Sequence, residues 1–247
     1  MLRVGVIGAD GRMGSRICAA IEAAEDLELV ARADMTDEVR QFSEAAIDVA
    51  VDVTTAEAAR ENLPWLASAG IDVVVGTTGF DANDTRDFDQ AFKKAGKRCF
   101  LVPNFSIGAV LMMRFAAEAA PHLDAVEIIE FHHDKKADAP SGTAALTATK
   151  ISEARHQSWS LDTRDRENVT GVRGGDVDGV RVHSVRLPGL VAHQEVIFGG
   201  EGQSLSIRHD SYDRSSFMPG VLLAIRSIGK LSPGVTVGLD AVLFDNT

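Results

Sequence analysis

The first hundred residues alternate short, β-branched apolar runs with stretches in which apolar residues recur every three to four positions. The runs Arg3–Ile7, Leu27–Ala33, Asp48–Asp52, Ile71–Val75 and Arg98–Val102 predict strands, and Arg12–Ala24, Ala56–Ala69 and Asp84–Ala95 predict helices between them. Strands that are apolar along their whole length are covered on both faces. The pattern therefore predicts an α/β, doubly wound parallel sheet with helices on each side.

From about Phe105 the rhythm changes. Helices over Gly108–Ala119 and Thr143–Glu153 enclose a strand over Val126–His132, and residues 158–168, polar and without aliphatic period, read as a surface loop. Three further runs, Val180–Leu187, Val191–Phe198 and Ser204–Arg208, lie close enough in sequence for antiparallel pairing. This part reads as an α+β domain with an open mixed or antiparallel sheet. A last helix over Ser215–Ile228 and a strand-like Val235–Leu239 are expected to rejoin the first domain. The predicted division is 1–104 with 216–247, and 105–215.

Between the first strand and first helix stands Gly8-Ala9-Asp10-Gly11-Arg12-Met13-Gly14. Glycines there let the backbone turn tightly and approach a pyrophosphate at a helix N-terminus, although the spacing is GxxGxxG and not the commoner GxGxxG. Asp34 ends the second strand, where a carboxylate can take the adenine ribose hydroxyls. Loop, strand order and Asp34 together make the sheet Rossmann-like and predict a nicotinamide dinucleotide, NADH or NADPH. Met35 after Asp34 offers no cation for a 2′-phosphate, which favours NADH, while Arg12 keeps NADPH open. Gly76-Thr77-Thr78-Gly79 follows the fourth strand and Pro103-Asn104-Phe105-Ser106 the fifth. Ligands bind beyond the carboxyl ends of parallel strands, so both loops are expected beside the glycine loop, although plain turn chemistry also accounts for them.

The segment from Glu130 to Thr143 concentrates chemistry. His132 and His133 leave a strand, Lys136 follows four residues after His132, and Ser141-Gly142-Thr143 opens a helix. Backbone N–H groups at a helix start attract carboxylates, and His and Lys beside such an anion can handle protons. Taken singly, each feature also fits a plainer role: a hydrogen-bonded histidine pair, a solvated charge run, a helix cap. A zinc site on His132, His133 and Asp134 is excluded by spacing, because adjacent strand residues point to opposite faces, and no metal is expected.

Charge narrows the partners. In 247 residues, 25 basic against 36 acidic side chains give −11, which argues against tracking a phosphate backbone, so no nucleic acid is expected. Cys18 and Cys99 carry no CxxC or metal spacing and read as buried thiols of a reducing compartment. No basic-then-apolar leader and no apolar run near 18 residues is present, so the chain is expected in the cytoplasm and off the membrane. The residues alone leave open another two-domain dehydrogenase, on homoserine or an aldehyde, and a non-catalytic NAD-binding sensor.

Several segments together decide among these. EFHHDKKADAPSGTA at Glu130–Ala144, VGVIGADGRMGS near the start, VVVGTTGF at Val73–Phe80, VPNFSIGAVL at Val102–Leu111 and VRLPGLVAHQEVIFGGEGQ ending at Gln203 resemble, in order, the 4-hydroxy-tetrahydrodipicolinate reductase (dihydrodipicolinate reductase) family. The resemblance covers essentially the whole chain. It implies a cofactor domain from the terminal segments, a middle domain for substrate and oligomerisation, and a homotetramer acting on a small dicarboxylate in lysine biosynthesis. It implies that Gly8, Ala9, Asp10, Gly11, Arg12 and Met13 hold the pyrophosphate and Asp34 the ribose. Gly76, Thr77 and Thr78, with Val102, Pro103, Asn104 and Phe105, then flank the nicotinamide. His132 and Lys136 fall on the family's acid–base positions, His133 on a substrate contact, and Gly142 with Thr143, beside Ser141, on the carboxylate site. Two positions depart from the family's pattern: Asp10, where some members carry a base, and Val53, where an aromatic is common.

Overall fold

A computed structural model describes residues 1–34, 39–155, 159 and 167–244. In chain order it contains β1 (Leu2–Ile7), α1 (Gly14–Glu22), β2 (Leu27–Ala33), α2 (Gln41–Glu44), β3 (Val49–Asp52), α3 (Ala56–Ser68), β4 (Asp72–Val75), α4 (Ala82–Ala95) and β5 (Arg98–Leu101). There follow α5 (Ile107–Ala119), β6 (Ala125–His132), α6 (Gly142–Ala154), β7 (Gly175–Val177), β8 (Val180–Arg186), β9 (Ala192–Gly200) and β10 (Gln203–Ser211). The chain ends with α7 (Met218–Ser227), β11 (Gly234–Val237) and α8 (Asp240–Leu243). It divides into one compact unit of Met1–Ile107 with Arg214–Thr247, and another of Gly108–Asp213.

The first unit is built on six parallel strands in the order β11-β5-β4-β3-β1-β2. Every residue of β3 and β4 is buried, as two-sided apolar runs require. The strand-like C-terminal run does rejoin this sheet, as β11 beside β5. Strand order reverses at β1 and β3, and the crevice beyond such a switch point is where open α/β sheets bind ligands. Phe88 and Phe92, one turn apart on α4, pack into a core with Phe42, Leu63 and Val73. The start of α4 is fixed by a reciprocal capping box between Asp81 and Asp84, and its end by left-handed Gly96.

Several element boundaries differ from expectation, and the larger differences have local reasons. The first helix starts at Gly14 and not at Arg12, because residues 8–13 are used in the glycine turn, closed by Gly11 N–H to the Gly8 carbonyl at 3.1 Å. The last long helix is preceded by a 3₁₀ turn, Arg214–Phe217. The short α2 and β7, four and three residues long, were not expected, since neither is long enough to show a period. Met35 lies outside the described residues, as does most of the predicted loop 158–168.

The second unit is a five-stranded mixed sheet, β10-β9-β6-β8-β7. The expected antiparallel pairing holds for β9 with β10 but not for β8 with β9. Instead β6 lies between them, parallel to β8 and antiparallel to β9. The connection is the reason: Leu187–Val191 is too long for a two-residue hairpin and passes the end of β6, where Leu187 N–H donates to the His132 carbonyl at 3.1 Å. Helix α6 packs on this sheet, over the face that carries the buried Val126, Ile128, Glu130, Val196 and Phe198. Both cysteines are buried free thiols, and burial pushes Cys99 upward from its ordinary value. Among the described residues no helix is long and apolar enough to cross a membrane.

Candidate active site

In the first unit, the loops after β1, β3, β4 and β5 converge. Gly8 N–H and Ala9 N–H both donate to the Ala33 carbonyl at the end of β2, and Asp10 N–H donates to Asp34 Oδ2 at 3.2 Å. Gly8, at φ 82°, passes the β3 loop so closely that a Cβ would sit 2.9 Å from the Val53 carbonyl oxygen. A Cβ on Gly76 would lie 2.6 Å from the Phe105 ring and 3.0 Å from Val53, so the two loops predicted to line the crevice do meet there. A cradle whose walls a single methyl group would fill suits the close approach of a pyrophosphate, and Asp34 stands at its rim. These residues fit a dinucleotide.

Beneath this cradle lies an acid that the sequence pattern did not single out. Asp52 is fully buried at the end of β3, and its carboxylate accepts from Thr54 N–H (3.1 Å), Thr54 Oγ1 (2.7 Å), Thr77 Oγ1 (3.0 Å) and Asn62 Nδ2 (3.0 Å). It thereby ties the β4 loop, through Thr77, to the β3 loop. A carboxylate ending an otherwise apolar strand was the available signal, since a buried charge must find donors.

In the second unit, the strand that delivers His132 also delivers Glu130 to the same face, two residues earlier. Glu130 is completely buried. Arg186 meets it bidentately at 2.9 and 2.7 Å, Ser141 N–H donates to it at 3.2 Å, and His132 Nδ1 makes a short contact with its other oxygen. Arg186 also donates to the Asp138 carbonyl at 2.7 Å. Lys136 Nζ lies 2.7 and 3.0 Å from the two carboxylate oxygens of Asp138. The Ala139–Pro140 peptide is cis and leads into Ser141, whose Oγ caps α6 by accepting from Ala144 N–H at 3.2 Å. A Cβ on Gly142 would meet no heavy atom within 4 Å, so space is open beside the helix start. Behind it, Gln194 Nε2 donates to Thr147 Oγ1 at 2.8 Å, and Thr147 donates to the Thr143 carbonyl at 2.7 Å.

His132, Lys136, Ser141, Gly142 and Thr143 thus belong to one loop-and-helix assembly held on Glu130, and His133 follows the end of the strand, where its carbonyl accepts from Lys136 N–H at 3.2 Å. Glu130, Arg186 and Asp138 complete the assembly and were not expected from the sequence pattern. The inward-pointing carboxylate in the alternating strand AVEIIEFH was the usable sign for the first.

Protonation follows from this burial. His132 is held below its ordinary value, by desolvation first, against the upward pull of Glu130. Burial pushes Glu130 up, but hydrogen bonds from Arg186, Ser184 and His132 outweigh it and leave the carboxyl below its usual range. At both groups the native state takes up a proton less readily than the unfolded chain, so stability is lost as pH falls, first through the free-histidine range near about 6.5 and then through the carboxylate range. The melting temperature is expected to decline between about pH 7.5 and 3, the span that covers both ranges; a flat profile would contradict the burial of His132 and Glu130.

A parallel sheet with a glycine cradle at its switch point, in one chain with a second sheet bearing a buried acid–base cluster, defines a two-domain, dinucleotide-dependent oxidoreductase. Residues 2–105 match the family model for the dihydrodipicolinate reductase N-terminus and residues 108–243 that for its C-terminus. The chain belongs to the dihydrodipicolinate reductase family. Its relatives include the 4-hydroxy-tetrahydrodipicolinate reductase of Nocardia farcinica, 55% identical over 98% of both chains, and that of Mycolicibacterium smegmatis, 50% identical over 98% of this chain and 99% of the other. Among solved structures, dipicolinate-bound dihydrodipicolinate reductase from Paenisporosarcina sp. TG-14 superposes with a TM-score of 0.89 at 36% identity, covering 98% of this chain and 100% of that one.

Proposed function

We propose that this chain converts 4-hydroxy-tetrahydrodipicolinate to tetrahydrodipicolinate with NADH or NADPH, by loss of water and hydride transfer, in the diaminopimelate route to lysine. The observation that carries the reading is the assembly of His132, Lys136 and the α6 start on one buried carboxylate, in a chain of this family. Gly8, Ala9, Asp10, Gly11, Arg12 and Met13 hold the pyrophosphate, Asp34 the ribose, and Gly76, Thr77, Thr78, Val102, Pro103, Asn104 and Phe105 flank the nicotinamide. The bound cofactor supplies the hydride. The α6 start, through Ser141, Gly142 and Thr143, takes a carboxylate of the small dicarboxylate substrate, and a dipicolinate-bound relative supports that class of ligand.

His133 contacts the substrate beside it. Lys136 donates the proton to the ring carbon that becomes electron-rich when hydride arrives, and its charge stabilises that carbon as it develops. His132, neutral near pH 7 and donating through Nδ1 to Glu130, keeps Nε2 as an acceptor and so completes the acid–base pair. The sheet face away from α6 carries Ile129, Phe131 and Ile197, only partly buried, which supports association into a homotetramer. We place the enzyme in the cytoplasm, where its cofactor and reduced thiols belong.

The test is oxidation of NADH and of NADPH by the purified protein, with substrate generated in place by the synthase of the preceding step. Substrate-dependent oxidation of at least one cofactor is expected. Tight cofactor binding without turnover in a folded sample would sink the reading and leave a dinucleotide sensor.

A further inference from the structure

We propose that Glu130 and Arg186 form a positioning pair that sets both proton-handling side chains and the start of the carboxylate-binding helix, an inference that rests on the reductase reading above. Glu130 is wholly buried, and apart from Ser184 on the neighbouring strand its contacts go to parts of the site or to the arginine that organises the rest. One oxygen accepts from Arg186 Nη2 and Ser141 N–H; the other accepts from Arg186 Nη1 and meets His132 Nδ1. A carboxylate accepts only, so the proton in that last contact is on His132 Nδ1, which fixes the tautomer and leaves Nε2 unprotonated in the neutral ring. The Ser141 bond anchors the residue that caps α6.

Arg186 extends the same arrangement to Lys136. Its Nη1 also donates to the Val185 carbonyl at 2.8 Å, and its Nη2 to the Asp138 carbonyl at 2.7 Å, so the guanidinium pins the backbone of the residue whose side chain holds Lys136 Nζ. Only a planar, multiply donating cation can serve a carboxylate bidentately and two carbonyls at once; lysine cannot. The pair therefore reaches His132 directly, Lys136 through Asp138, and Gly142–Thr143 through Ser141, without touching reacting atoms itself. A buried ion pair can often be exchanged for apolar residues with little loss of stability, so a pair retained for folding alone and a pair retained for positioning give different results on such an exchange.

The experiment compares wild type with the double variant Glu130→Met/Arg186→Met and the isosteric Glu130→Gln. It reads kcat, KM for the cofactor, thermal stability, and the ¹⁵N shifts of the His132 ring in the cofactor-free protein. In both variants kcat is expected to fall about 100-fold, the scale set by loss of preorganised geometry. Cofactor KM should stay within about twofold, since the proposed cofactor residues belong to the other unit. The His132 signals should move from a single Nδ1–H form to a mixture of tautomers. Wild-type kcat with the Nδ1–H tautomer intact in either folded variant overturns the proposal. So does a comparable loss of cofactor affinity, which marks a general structural role. If the double variant does not fold, kcat and the His132 signals of Glu130→Gln decide in the same way. Absence of turnover in wild type overturns the reductase reading instead, while the tautomer measurement still decides whether Glu130 governs His132.

Discussion

Lys136→Met is expected to lower kcat by about 10²–10⁴-fold, the usual worth of a positioned general acid, with the melting temperature nearly unchanged. The two halves of this prediction have separate physical sources. Lys136 is held by Asp138, whose side chain is 59% exposed, and an ion pair open to water contributes only about 0–1 kcal/mol. Removing it leaves no buried charge without a partner, so the fold has little to lose. The chemistry does lose, because methionine keeps the length of the stem and removes the only proton it could deliver. His132 cannot take over: burial holds its imidazole below the ordinary value, so near pH 7 it is neutral and its one N–H is committed to Glu130. Steady-state kinetics and a thermal melt on the same preparation check both halves. A kcat within about tenfold of wild type, less than a positioned general acid is worth, would mean that the proton comes from elsewhere. A large drop in melting temperature would mean that Lys136 is structural.

The first unit was legible in the sequence because its central strands are short apolar runs buried on both faces and the connections between them are long enough for a helix. Its glycine loop was legible for the same reason that it works: only glycine fits where the backbone of Gly8 passes Val53 so closely. The second sheet was less so. Periodicity identifies which residues face inward along a strand but not which strand lies alongside, and β8 was therefore expected to pair with β9 when it pairs with β6. That same step hid Arg186. Fifty-six positions separate it from Glu130, and only the parallel register, which sets Arg186 opposite His132, makes them neighbours. Motif reading found His132, Lys136 and Ser141 because they sit within ten positions on one segment. It passed over the buried carboxylate that joins them, because that contact is made in space.

Gly14→Ala is expected to weaken dinucleotide binding strongly while leaving the second unit intact. An added Cβ would stand 1.9 Å from the Gly8 carbonyl oxygen and 2.7 Å from Ala9 Cα, and both are backbone atoms that no side-chain rotation can move. The first turn of α1 must then withdraw from the glycine loop. Forcing atoms into a filled site costs about 1–3 kcal/mol or more, and if that cost falls on the loop's binding geometry it weakens Kd roughly ten- to a hundredfold. Two other glycines separate this effect from ordinary backbone strain. Gly96 has φ 65° and nothing within 4 Å of a Cβ, so Gly96→Ala should lower the melting temperature and leave Kd alone, the cost there being conformational. Gly11 has an ordinary φ and one contact, 3.1 Å from the Gly8 oxygen, so Gly11→Ala should fall between the two. Fluorescence titration with the reduced dinucleotide measures all three. Wild-type affinity in a folded Gly14→Ala protein would remove the loop as the pyrophosphate cradle and move the cofactor elsewhere, whereas a loss confined to Gly14 and Gly11 ties the cofactor to that turn.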